Sequence, residues 1–253
     1  MTLLSHGPEA LVRRAKEVDS IAKGYGQSVT QITDHLAQIF ERVARAAERA
    51  TRSPSSVTIV GVGKQQPKSA LAEAQRAGLA HFGESYVQEA LPKIAELADL
   101  PVTWHFVGKM QANKTRQVAE TFDWVHTVDR LKIAERLSEH RSPFAAPLNV
   151  LIQVNQGDEP QKSGARPQDV AELARAIAAL PRLKLRGLMT LPPQSGTPSH
   201  WFAELAALRA KLESEGTALD SLSMGMSGDF EEAIAAGATH VRIGTAIFGA
   251  RGG

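Results

Sequence analysis

Cysteine is absent from this chain of 253 residues, which excludes disulfides, thiolate nucleophiles and cysteine-built zinc sites and fits a reducing compartment. Long apolar runs are missing too. The opening "MTLLSHGPEALVRRAKE" lacks the continuous hydrophobic core of a secretory signal, and no later run is long enough to cross a bilayer, so a cytoplasmic location is expected. Charge of one sign is not concentrated anywhere. The formal net charge is +2, with Lys and Arg scattered among Asp and Glu, so neither nucleic acid nor an anionic membrane is an expected partner. No HExxH pair or carboxylate cluster accompanies the histidines, so a metal is not expected. No GxSxG elbow appears either. "GVGKQQP" fails as a P-loop, having neither the earlier glycine nor a Ser or Thr after the lysine.

What is present is ordinary for a globular chain, 43% hydrophobic and 22% charged, and the length suits one large α/β barrel with a substantial core. Ile32, Leu36, Ile39, Phe40, Val43 and Ala47 recur at helical spacing and predict a leading helix between residues 29 and 50. Upstream, "GYGQS" separates a further amphipathic stretch, so residues 1–27 read as an appended segment and 28–253 as a single barrel domain. From Val57 onward, strand-like runs at 57–62, 79–82, 102–107, 123–126, 147–154, 183–188, 219–222 and 239–243 alternate with helical stretches. Alternation of this kind predicts parallel strands joined by crossover helices. Eight strands favour a closed (β/α)8 barrel of the TIM type over the runner-up, an open doubly wound sheet. The runs at 79–82 and 219–222 carry the weakest strand signal. Gly78 and Gly237 each end an alanine-rich helix, as left-handed caps or as plain punctuation.

In such barrels the functional groups gather at the C-terminal ends of the strands. Lys64 follows the first strand in "VTIVGVGK", and period two puts Thr58, Val60, Val62 and Lys64 on one face. An inward Val60/Val62 column would carry the amine into the mouth. Over an apolar interior it would lose part of its hydration, which suits it to attack an aldehyde and form a Schiff base. From the lysine alone, snorkelling to solvent is the more frequent outcome. "SMGMSGDF", after the seventh strand, places Ser227 and Asp229 at a helix start. "RIGTAIFGA", after the eighth, adds Gly244 and the hydroxyl of Thr245. These are the loops that hold phosphate in many barrels. Arg242 lies between Val241 and Ile243 and needs an acceptor, either a carboxylate neighbour or a ligand. Amine, anion cradle and arginine together describe a receptacle for a phosphorylated aldehyde, which pyridoxal 5′-phosphate fits. His105 and His126 read as satisfied histidines, and Trp104, Trp124 and Phe106 as core.

The segments "HFGESYVQEA", "WHFVGKMQANKTR", "FDWVHTVDRLKIAERL", "LNVLIQVN", "LKLRGLMTLP" and "LSMGMSGDFEEAIAAGATHVRIGTAIFGAR" closely resemble the pyridoxal phosphate homeostasis family. The resemblance runs from about residue 30 to Arg251. It implies a single-domain barrel like the N-terminal domain of alanine racemase, the type III fold of pyridoxal phosphate proteins, with the cofactor on Lys64. It also implies Ser227, Gly244 and Thr245 at the phosphate and Arg242 at the pyridine nitrogen. A permanent cation there weakens the ring as an electron sink. In barrel racemases an added C-terminal domain and the dimer partner supply a second acid–base group, whereas this chain stops at "GARGG". A monomeric carrier that buffers pyridoxal phosphate or hands it to apoenzymes is therefore expected, rather than an efficient racemase. A phosphosugar-type barrel enzyme is a weaker alternative. The chain departs from the family pattern at Gly63, Gln65, Ser85 and Lys109, where the resemblance leads one to expect Ser, Thr, Asn and His, and Lys109 is a second candidate for the aldehyde.

Overall fold

The computed structural model describes residues 31–159, 162–193 and 195–249, so the appended segment 1–27 lies outside the described residues. Eight parallel strands close into a barrel in chain order, β1 Thr58–Val62, β2 His81–Glu84, β3 Thr103–Phe106, β4 Trp124–Val128, β5 Leu148–Val154, β6 Leu183–Thr190, β7 Ser221–Ser223 and β8 His240–Ile243. Closure runs through β1 and β8, with Thr58 opposite His240 and Gly61 opposite Ile243. Crossover helices fill the intervals: α2 Lys68–Arg76, α3 Val87–Glu96, α4 Thr115–Thr121, α5 Leu131–His140, α6 Val170–Ala178, α7 Pro198–Ser214 and α8 Phe230–Ala235. A leading helix, α1 Gln31–Arg49, and a short closing helix, α9 Thr245–Phe248, flank them.

The leading helix forms where its apolar spacing predicts, and buries Leu36, Ile39, Val43 and Ala47. Its polar edge is tied to α8. Arg42 donates two hydrogen bonds of 3.0 Å to the carboxylate of Glu231 and lies 4.6 Å above the ring of Phe230. The ends of α2 and α8 turn identically. Gly78 and Gly237 both sit at φ +100°, and the amides of Leu79 and Ala238 reach back to the carbonyls of Ala74 and Ala233. Left-handed backbone at a glycine thus reverses each helix straight into its next strand.

The second and seventh strands begin two residues later than their apolar runs predict. Leu79 and Leu219 are buried against the helices, whereas the ladders are formed by His81–Glu84 and Ser221–Ser223. Polar side chains disguise those strands because they face the barrel interior or end at the rim.

Alternation sorts the side chains cleanly. Ile59, Phe82, Trp104, Phe106, Val125, Ile152, Leu188, Leu222, Val241 and Ile243 face outward and join the helices in one apolar layer. The interior differs from the apolar filling expected beneath Lys64. Trp124, Leu151 and Met189 form a small apolar cluster there and Val60 is buried beside the mouth, whereas His105, His126, His240, Ser223 and Arg242 make much of the buried interior polar. A polar interior is stable only if its groups satisfy one another.

Candidate functional site

Lys64 stands two residues beyond the end of β1, half-buried, with no hydrogen bond or ion pair to any described residue. Strand parity holds up to this point. A Cβ built on Gly83 would touch Val60, and one built on Gly61 would strike Leu79, so Val60 and Val62 face inward while Gly61 backs onto the helices. The turn after Lys64 carries Gln65 at φ +61°, a left-handed conformation uncommon for a residue with a side chain.

Across the same rim, Gly244 follows β8 and opens α9, directly beside the end of β1. A Cβ added to Gly244 would lie 3.4 Å from the Val62 carbonyl oxygen, ordinary contact, so packing within the chain does not demand a glycine there. Ser227 lies in the turn between β7 and α8, and its Oγ receives a long 3.5 Å contact from the Ala246 amide, which brings the two loops together. Asp229 precedes α8, yet its carboxylate turns back to accept the Met226 amide at 2.6 Å and shapes the turn that presents Ser227. Among the described residues the amides of Ser227 and Gly228 donate to no protein acceptor. Gly225 makes the turn possible. It sits at φ +89°, and a Cβ on it would stand 2.6 Å from that of Ala233.

Arg242 is buried, and its acceptor is not a carboxylate. One terminal nitrogen donates to Ser223 Oγ at 2.7 Å and the other to the Thr190 carbonyl at 2.9 Å, so a structural salt bridge is not its partner. Burial pulls its pKa down to about 10, with Asp229 opposing, so it stays charged at neutral pH. Of five N–H donors, the two used leave three for another acceptor.

Ser223 continues inward as a chain of polar contacts that sequence reading treats only as satisfied histidines. Ser223 Oγ meets His126 Nδ1 at 2.8 Å, His126 Nε2 meets His105 Nδ1 at 2.9 Å, and His105 Nε2 meets His81 Nδ1 at 3.0 Å. Arg242 can only donate, and requiring the Ser223 proton to be used on its other partner fixes the rest of the direction. Ser223 accepts from Arg242 and has one proton left for His126 Nδ1, and then each imidazole carries its proton on Nε2 and donates to the next. Their lone-pair ends therefore all point toward the guanidinium and solvate its charge where a carboxylate would otherwise be needed. Burial holds His105 and His126 well below the usual imidazole range, and His240, also buried, falls to about 3. Trp124 lids the array, 5.5 Å from His105 and nearly parallel to it.

The family described as alanine racemase, N-terminal domain, matches residues 34–252. The pyridoxal phosphate homeostasis protein of Pseudomonas aeruginosa is 52% identical over 223 residues, covering 88% of this chain and 97% of its own length. The chain belongs to the pyridoxal phosphate homeostasis protein family. The Escherichia coli K12 member of that family is 50% identical, covering 88% of this chain and 98% of its own. PipY of Synechococcus elongatus, solved with PLP bound, superposes with a TM-score of 0.75 at 38% identity, over 87% of this chain and all of that one. A Clostridium difficile alanine racemase superposes with a TM-score of 0.65 at 13% identity and is covered over 56% of its length, a likeness of fold alone.

The four positions at which the resemblance leads one to expect other residues fall at the same rim. Gly63 and Gln65 flank Lys64, Ser85 follows β2, and Lys109 follows β3. Lys109 is exposed, in contrast to the half-buried Lys64. Among the described residues no helix is long and apolar enough to cross a membrane, and no cluster of His, Asp and Glu has the makings of a metal site.

Proposed function

We propose that this protein holds pyridoxal 5′-phosphate on Lys64 and keeps it in reserve for apoenzymes that need it, with little turnover of its own. The observation that carries this is an unpaired, half-buried amine at the end of β1, beside the Gly244 rim of β8. When bound, the cofactor supplies an aldehyde with which a primary amine condenses, C=N forming as the carbonyl oxygen leaves as water.

The chain's own residues divide the remaining work. The amides of Ser227 and Gly228, the Ser227 hydroxyl, Gly244 and Thr245 suit an anionic tail, because their donors lie in two converging loops. Arg242, with three N–H donors to spare, is suited to a ring nitrogen. Its permanent charge would keep a proton off that nitrogen, the condition least favourable to carbanion chemistry. That argues for storage over racemisation. The reading extends to a cytoplasmic monomer, with residues 28–253 as the whole binding domain.

The experiment is spectroscopic. Adding pyridoxal phosphate to the wild type should give a visible absorbance band distinct from the free aldehyde, and Lys64→Ala should abolish it. An unchanged band in that variant would reject Lys64 as the attachment point. Incubating the loaded protein with amino acids in D2O tests the enzyme alternative, since sustained deuterium entry at Cα would favour a racemase.

A further inference from the structure

The loop that carries Lys64 is gripped from outside the barrel by a buried ion pair. Lys93, on α3, is 6% exposed and spends all three ammonium protons, donating to the Gly63 carbonyl at 2.8 Å, Glu84 Oε1 at 2.9 Å and Glu89 Oε1 at 2.6 Å. The same Glu89 oxygen accepts the backbone N–H of Gln65. The carbonyl of Gly63 belongs to the peptide group entering Lys64, and the N–H of Gln65 to the peptide group leaving it. One ion pair therefore fixes the peptide planes on both sides of Lys64, and with them the direction of its Cα–Cβ bond.

Two further features say that this grip serves geometry. Gln65 sits at φ +61°, a conformation that a glutamine keeps only when its surroundings hold it there. A buried ion pair is also a poor way to gain stability, because apolar side chains of similar size commonly do as well. What apolar side chains cannot do is hold a carbonyl and an amide at once.

We propose that Lys93 and Glu89 are positioning residues for Lys64, aiming its amine at the aldehyde carbon without touching the cofactor. This rests on the reading of Lys64 as the attachment point. Its consequence is specific: the clamp should matter for a ligand that bonds to Lys64 and not for one that only fills the same cradle. Pyridoxine 5′-phosphate, which has an alcohol where pyridoxal phosphate has the aldehyde, is the matched probe.

The test uses the full chain with Glu89→Gln, Glu89→Ala and Lys93→Met, beside Lys64→Ala. Glu89 is partly exposed, so its variants should fold even if Lys93→Met does not. Without cofactor, amide hydrogen exchange at Gln65 should quicken by about tenfold or more in Glu89→Ala, and less in Glu89→Gln, which keeps a neutral acceptor, while the β1 amides stay protected. With ligand, affinity for pyridoxal phosphate should fall by about tenfold in the clamp variants, and affinity for pyridoxine phosphate should stay within about twofold. Unchanged exchange at Gln65, or equal weakening of both ligands, would overturn the proposal. Lys64→Ala separates the two claims. If it leaves pyridoxal phosphate affinity intact, the attachment reading fails, whereas the exchange result still reports on the clamp itself.

Discussion

Removing the Ser223 hydroxyl should unsettle the charge at Arg242 more than the size of the change suggests. Ser223→Ala deletes the acceptor of a 2.7 Å bond from a buried guanidinium, and a hydrogen bond to a charged group is worth about 2 kcal/mol. It also leaves His126 Nδ1 without its donor inside a fully buried array, which costs about 1 kcal/mol more. The expected loss is therefore about 3 kcal/mol, read as a lower urea midpoint with an unchanged slope. Ser221→Ala is the matched control, because Ser221 lies on the same face of β7 but bonds only to the exposed carboxylate of Asp220, and should cost under about 1 kcal/mol. A Ser223→Ala protein within about 0.5 kcal/mol of wild type would refute the view that the hydroxyl and the histidine chain sustain the buried charge.

Stability should also depend on pH through Glu84, whose pKa burial raises from 4.5 to about 7 against the opposing pull of Lys93. The folded state then holds this proton more tightly than the unfolded one. Its contribution is complete below about pH 4.5 and is lost as pH rises through 7, by at most roughly 3 kcal/mol. Glu84→Gln should flatten that fall in a series of unfolding curves, and an unaltered slope would contradict the assignment. Two glycines with similar φ should respond differently to alanine. Gly78→Ala meets open space and should cost about 1 kcal/mol from backbone strain alone. Gly225→Ala adds a clash with Ala233 and Phe230 and should cost more than about 2 kcal/mol, with pyridoxal phosphate binding weakened because the turn presents Ser227. Equal effects of the two would mean that the turn yields.

The barrel was legible because its outward-facing residues repeat. Phe82, Trp104, Phe106, Val125 and Val241 announce strands by being apolar, and the helices between them show their own period. Legibility failed by two residues at β2 and β7, where Glu84 and Ser223 are polar for reasons internal to the fold. The places of Lys64, Ser227, Gly244 and Thr245 beyond strand ends, and of Arg242 within β8, were readable from the strand pattern. Their supports were not. His126 meets Ser223 across 97 residues of sequence, and Lys93 meets Gly63 across 30, contacts that only closure of the barrel and the seat of α3 decide. Strand parity offered one usable signal, since His105 between outward Trp104 and Phe106 must point inward.

Borohydride reduction of the protein after exposure to pyridoxal phosphate, followed by peptide mapping, tests the central assignment most directly. The account predicts one pyridoxyl group per chain, on the peptide bearing Lys64. An adduct on Lys109 with Lys64 unmodified, or no adduct at all, would contradict it.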